Sequence, residues 1–235
     1  MIREVFNRNE RDLKDIDLLE AIRNERPDLR DKEEKSSNQG YHSHVLIIEG
    51  ELFKAPKDYN LSGDFNGILD EFEKEINTAE SMKGKKLPVP ELMSVGKDTF
   101  FYSVKEMEAT PVPERFMIQF KEQEIQALAK DIVGFINDLE KAFPEKNNFS
   151  MVYTDFNLGN ILIDDKTKKF VGIVDMASFD YMPKEDYLPS FRSGVAVSLY
   201  YDLDSDCKKF QRILRREYNL QKNQPKPSQN IQLKL

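Results

Sequence analysis

A single cysteine, Cys207, among 235 residues leaves no partner for an internal disulfide and fits a reducing compartment. No apolar run approaches the roughly 20 residues needed to span a bilayer, and the first residues are charged rather than signal-like. No basic run is long enough to mark a nucleic-acid surface. These absences predict a cytoplasmic protein with neither membrane nor nucleic-acid partners. Histidine is scarce too. His42 and His44 alternate along one strand with no third ligand-type neighbour, which suits an exposed strand better than a metal site. The net charge of −7 suits a cationic partner, although mild acidity also keeps proteins soluble. The length allows one domain or two small lobes.

Chemistry concentrates in residues 151–179. Two apolar strands, Asn160–Ile163 and Phe170–Val174, flank the charged turn Asp164-Asp165-Lys166-Thr167-Lys168-Lys169. Asp155 stands in the loop before the first strand, Asn160 follows five residues on, and Asp175 ends the second strand. Kinase-like phosphotransferases place their groups in this order. One Asp accepts the proton of the acceptor hydroxyl, and an Asn and a second Asp hold magnesium against the phosphates. Magnesium takes hard oxygen ligands, few of them from protein. A surface hairpin whose Asp and Asn merely form turns is the simpler alternative. Turn preference does not explain an acid set between Val-Gly-Ile-Val and Met-Ala-Ser-Phe.

Upstream, Leu13, Ile16, Leu19 and Ile22 recur at helical spacing up to Pro27, predicting a helix on the outside of a first lobe. Residues 36–55 read as a β-hairpin around Glu-Gly-Glu. Gly40, in its first polar stretch, is a weak match to a loop that covers phosphates. Lys54 lies inside an apolar strand, where an unpaired ammonium is costly, so it either points to water or reaches a carboxylate and phosphates. The next helix, with Ile68, Leu69, Phe72, Ile76 and Ala79 on one stripe, offers Glu75 beside that stripe; Glu71 and Glu73 are alternatives. Strands are expected around Leu92–Val95 and Thr99–Val104. Lys105–Pro111 would then connect the lobes; in kinase folds the backbone of that connector meets the adenine edge, a place that Glu106, Met107 and Glu108 would take here. A core helix follows over 114–143, carrying Ile118, Ile125, Leu128, Ile132, Phe135, Ile136 and Leu139. Helical patterns recur near Leu188–Leu203 and Cys207–Tyr218, and residues 221–235 read as a disordered tail.

On these residues the chain resembles the aminoglycoside phosphotransferases and their small-molecule kinase relatives, over about residues 45–220. Gly-Glu-Leu-Phe-Lys-Ala-Pro-Lys (50–57) is similar to the nucleotide-lysine strand. Phe-Glu-Lys-Glu-Ile-Asn (72–77) with Leu-Pro-Val-Pro-Glu (87–91) is similar to the first-lobe helix and its exit. Lys-Glu-Met-Glu-Ala-Thr-Pro-Val (105–112) resembles the linker, Tyr-Thr-Asp-Phe-Asn-Leu-Gly-Asn-Ile-Leu (153–162) the catalytic loop, and Gly-Ile-Val-Asp (172–175) the metal strand.

The resemblance implies an α+β, two-lobed, protein-kinase-like fold. A small antiparallel-sheet N-lobe spans 1–106, a mainly helical C-lobe spans 107–220, and the tail is 221–235. It implies Asp155 as catalytic base and Asn160 and Asp175 as Mg2+ ligands. Lys54, Glu75, Glu106, Met107 and Glu108 would bind ATP or GTP. The acceptor would be a hydroxyl of a small molecule, with aminoglycosides, and hence antibiotic resistance, the first candidates. Tyr153 stands where the family usually has His, and Met176-Ala177-Ser178 replaces its usual aromatic-Gly. The segments that normally build the aminoglycoside pocket are shorter here. Protein kinases fit less well: Asn157 stands where they carry a Lys, and no Ala-Pro-Glu closes an activation segment. A nucleotide- or partner-binding module without turnover is the alternative from another class.

Overall fold

The computed structural model describes residues 17–36, 43–56, 65–97, 101–113, 116–183, 191–192 and 203–222. Leu13, Ile16, Gly40, His42, Thr99, the helical pattern over 188–202 and residues 223–235 lie outside the described residues, as do the side chains of Ile68, Leu69 and Cys207. The chain divides into two compact units. The first is Met1–Ala109 together with Val171–Phe179, and the second is Thr110–Phe170 with Asp180–Leu235.

The first unit opens with α1 (Leu18–Glu25). Asp17 caps it, its carboxylate accepting from the N–H groups of Leu19 and Glu20 at 3.1 Å each. Pro27 cannot continue that ladder, and a 3-10 turn over Pro27–Leu29 ends the segment. Strands β1 (Glu34–Ser36), β2 (Ser43–Ile48) and β3 (Glu51–Pro56) follow. Glu49 and Gly50, both at positive φ (52° and 75°), make the two-residue turn between β2 and β3 whose twist matches the strands. Helix α2 (Phe65–Met82) precedes β4 (Leu92–Val95) and β5 (Tyr102–Lys105). The five strands form one antiparallel sheet in the order β1-β2-β3-β5-β4.

Strand alternation then sorts β3 into two faces. Phe53 and Ala55 turn toward α1 and share a buried cluster with Leu18, Ala21, Ile22, Leu29, Ile48 and Phe101. Phe53 and Phe101 meet edge to face at 5.9 Å. Glu51 is on this same face and is buried. Arg26 Nη1 donates to both of its oxygens at 3.0 and 3.2 Å, and the hydroxyls of Ser103 and Ser94 donate to Oε1. Lys54 points the other way. His44 is exposed on β2, and among the described residues no cluster of His, Cys, Asp and Glu could hold a metal.

The second unit contains β6 (Thr110–Pro111), α3 (Phe116–Gln119), α4 (Glu122–Ala142), β7 (Phe149–Tyr153), β8 (Phe156–Asn157) and β9 (Ile161–Ile163). Next come β10 (Phe170–Ile173), which leads into the first unit's segment, β11 (Phe179–Pro183), β12 (Phe191–Arg192) and α5 (Leu203–Lys222). Its core is the stripe Ile125, Leu128, Ile132, Phe135, Ile136 and Leu139 on α4, with Phe210, Leu214 and Tyr218 buried on α5. At the far end of this helix pair, Asn137 donates to Gln221 at 2.8 Å and Lys222 pairs with Glu140 at 2.5 Å.

Several boundaries differ from expectation. The helix expected over 114–143 breaks at Lys121, whose backbone is extended (φ −68°, ψ 152°) and donates to the Glu124 carboxylate. The break shifts the helical phase, so Phe116 and Phe120 are buried while Ile118 is 77% exposed rather than in the core. Asn160 ends a 3-10 turn, Leu158–Asn160, instead of starting β9. Helix α5 runs through Lys222, two residues into the segment expected as tail. No described helix is long and apolar enough to cross a membrane.

Candidate active site

The first unit brings Lys54, Glu75, Tyr102 and Asp175 into one neighbourhood. Register sets Lys54 of β3 beside Tyr102 of β5. Lys54 Nζ lies 2.7 and 2.9 Å from the two oxygens of Glu75 on α2, so Glu75, not Glu71 or Glu73, is its partner. The pair is asymmetric: the lysine side chain is 22% exposed and the glutamate 4%. Tyr102, itself buried, donates its hydroxyl to Glu75 Oε2. Burial pushes the Glu75 carboxyl up, Lys54 and Tyr102 oppose this, and the charge of Asp175 adds to it. The phenol of Tyr102 is pushed well up by burial, then by Glu75 and Asp175, so it stays a neutral donor.

Asp175 reaches this neighbourhood because Val171–Phe179 folds with the first unit. Ile173 N–H bonds the carbonyl of Pro88 at 3.0 Å, and the turn Met176–Ser178 packs along α2. The fit is tight at Gly172, where a Cβ would stand 2.3 Å from Met107 Cε and 2.5 Å from Pro88 O. A side chain has no room there. Asp175 holds a left-handed backbone (φ 66°, ψ 78°), strained for a residue with a Cβ and of the kind that collects at functional sites. Ser178 Oγ donates to Asp175 Oδ2 at 2.6 Å.

In the second unit the loop after β7 bonds to itself. Asp155 O accepts from Asn157 N–H at 2.7 Å, and Asn157 Oδ1 caps the following 3-10 turn through Gly159 N–H at 3.1 Å. That turn delivers Asn160, whose Nδ2 donates to the Asp155 carboxylate at 3.2 Å and to its carbonyl at 3.3 Å. Asp155 and Asn160 are both part-exposed, whereas Tyr153, at the end of β7, is fully buried, edge to face with Phe156 at 5.0 Å. Beyond the loop, Asp164 N–H bonds Lys169 O at 2.9 Å, and the Asp164 carboxylate collects the N–H groups of Thr167 and Lys166. The Thr167 bonds hold that carboxyl below its usual range.

No known family model matches the chain, and no curated protein matches it in sequence. Solved structures do. An ADP-bound aminoglycoside phosphotransferase, APH(2'')-Ib, superposes with a TM-score of 0.61 at 14% identity, over 87% of this chain and 82% of its own. The gentamicin complex of APH(2'')-IIa gives 0.62 at 14%, over 87% and 81%. The chain has the fold of the aminoglycoside phosphotransferases. This protein-kinase-like fold extends to a Rio2 kinase from Chaetomium thermophilum in an ADP/Mg2+-phosphoaspartate complex, with a TM-score of 0.51 at 19% identity over 89% and 62%.

Of the linker residues in this aminoglycoside phosphotransferase-like fold, Glu106 N–H is bonded to Gly50 O at 2.8 Å and Met107 O accepts from Ala109 N–H at 2.8 Å. Met107 and Glu106 are part-exposed and Glu108 is exposed. Sequence reasoning passed over Tyr102 and counted Ser178 only as a departure from the family pattern. Tyr102 had a signal in strand alternation, which sets it on the Lys54 face once β3 and β5 are paired. Ser178, three residues after Asp175, carried none.

Proposed function

We propose that this protein transfers the γ-phosphoryl group of Mg-ATP or Mg-GTP to a hydroxyl of a small molecule, plausible acceptors being aminoglycosides or other cationic amino-alcohols. The observation that carries the reading is the buried Lys54–Glu75 pair in one compact unit with the left-handed Asp175. An ammonium held at the mouth of a buried carboxylate, with its own side chain part-exposed, is placed to receive phosphate oxygens. The backbone of Glu106–Glu108 would meet the nucleotide base.

The donor set suits magnesium. Asp175 supplies carboxylate oxygens, and Asn160, by spending Nδ2 on Asp155, keeps its amide oxygen as the ligand-type atom. Asp175 and Asn160 would be the residues to hold Mg2+, which would supply positive charge to the phosphates. Asp155 orients the acceptor hydroxyl and takes its proton as the oxygen attacks, while the Asn160 amide fixes which way the carboxylate faces. Lys54 offsets charge growing on the phosphoryl oxygens. The nucleotides and aminoglycosides bound by the structural neighbours support the substrate class.

The test is transfer of labelled γ-phosphate from Mg-ATP and Mg-GTP to a mixed aminoglycoside and amino-alcohol panel, with Asp155→Ala as blank. A working base predicts a loss of about 10³-fold with nucleotide affinity kept. Equal activity in both proteins would remove Asp155 from the mechanism, and no transfer to any acceptor would favour a binding module without turnover.

A further inference from the structure

Glu75 takes its bonds from two donors that differ in freedom. Lys54 is a flexible four-carbon ammonium with a part-exposed side chain. Tyr102 is 2% exposed, and its ring packs against the helix that carries Glu75. It sits opposite Lys54 in the strand register, meets Phe72 of α2 edge to face at 5.3 Å, and carries Lys54 Nζ 5.8 Å from its centroid. Phe72 is one helical turn before Glu75, so the same helix that supplies the carboxylate also clamps the tyrosine. A lysine that moves toward phosphates draws away from Glu75, and a buried carboxylate stripped of its donors is costly. The hydroxyl of Tyr102 does not leave with it.

We propose that Tyr102 is a positioning residue for nucleotide binding: its hydroxyl holds the Glu75 carboxylate in the orientation that meets Lys54, so Lys54 can share its charge with phosphates while Glu75 stays bonded. This rests on the nucleotide reading above. It adds to that reading a residue whose role is to make the ion pair divisible.

The experiment is equilibrium titration of Mg-ATP and Mg-GTP into the full chain and four variants, the Glu75→Met single and its double with Tyr102→Phe among them. Tyr102→Phe keeps the ring and deletes the hydroxyl; the expected loss of affinity is roughly tenfold, that of one hydrogen bond to a charged group. In a Glu75→Met background the same substitution should cost less than about twofold, since the hydroxyl has lost its acceptor. Ile22→Val loosens packing on the α1 face of the first unit, away from Tyr102 and Glu75, and should leave affinity within about twofold of the parent. Unchanged affinity in Tyr102→Phe overturns the proposal. So does an equal loss in Ile22→Val, which would make general loosening of the unit the cause, or an equal loss in the Glu75→Met background. If the parent protein binds neither nucleotide, the nucleotide reading fails first and this one with it.

Discussion

Glu51 and Glu75 are both buried, both belong to the first unit, and face opposite sides of the same sheet. Glu51 lies under α1 with Arg26, whose planar fork also grips Asp28 at 2.8 and 3.0 Å. The bonds to Asp28 and Glu51 raise the guanidinium pKa, and Arg26 in turn holds the exposed Asp28 carboxyl below its usual range. Two serine hydroxyls complete the Glu51 shell. This is a closed network whose cation cannot be deprotonated and is engaged on both edges. Glu75 instead holds a lysine, a point charge on a flexible stem, next to a third acid, Asp175. One carboxylate fastens a helix to a sheet. The other, on the proposed reading, keeps a cation available. Burial alone therefore says little about function; the partner's freedom to leave says more.

The two faces are also closed differently. Residues adjacent in sequence, 17–29, cover the Glu51 side, whereas the Glu75 side takes Val171–Phe179 from far along the chain. Gly172→Ala tests that second closure. Its methyl would press on the Pro88 carbonyl, a backbone atom that cannot turn aside, and a loss of about 3 kcal/mol in urea denaturation is expected. A loss under about 0.5 kcal/mol would show that the segment docks loosely. Arg26→Met leaves Glu51 buried with only serine donors and should cost about 2–3 kcal/mol with nucleotide affinity unchanged. Ser94→Ala, which deletes a hydroxyl 3.3 Å from Glu51 and 2.6 Å from the Ser103 hydroxyl, should cost about 1 kcal/mol by the same measurement.

The smallest effect concerns pH. The Glu75 carboxyl is raised in the folded state, so the folded protein binds more protons there than the unfolded chain. That group's contribution therefore makes stability fall as pH rises from the ordinary carboxylate range through the raised value. Asp28 and Asp164 are lowered, so their contribution is present above the ordinary range and is lost as pH drops through their folded values. Thermal melts across this range should show the falling limb weaken in Glu75→Gln, and the acid-side loss weaken in Asp28→Asn. An unchanged profile in Glu75→Gln would mean the carboxylate is solvated in both states.

Local chemistry makes much of this legible in the sequence. Glu49-Gly50 marked the hairpin, Lys54 stood out as a charge within an apolar strand, and the helical stripe led to Glu75. Asp155 and Asn160 were legible as a spacing, which the 3-10 turn converts into a hydrogen bond. What stayed hidden depends on elements meeting at a distance. Glu75 was expected beside the apolar stripe, yet it is as buried as the stripe itself, because a lysine and a tyrosine from two strands satisfy it. Ile118 misled because helical spacing carries across a break that only the extended backbone of Lys121 makes visible. Gly172 gave no sign of its Pro88 and Met107 neighbours, which lie 84 and 65 residues earlier in the chain.

The contrast between the two carboxylates is tested most directly by titrating Mg-ATP and Mg-GTP into the Lys54→Met/Glu75→Gln and Arg26→Met variants while recording the melting temperature of each. The expected result is a crossing. Neutralising both members of the Lys54–Glu75 pair should weaken nucleotide binding by about 100-fold with little loss of stability, since no bare charge is left behind. Arg26→Met should lower the melting temperature and leave nucleotide affinity intact. Nucleotide binding that survives the first variant, or falls equally in both, would contradict the assignment of the Lys54 face to the nucleotide.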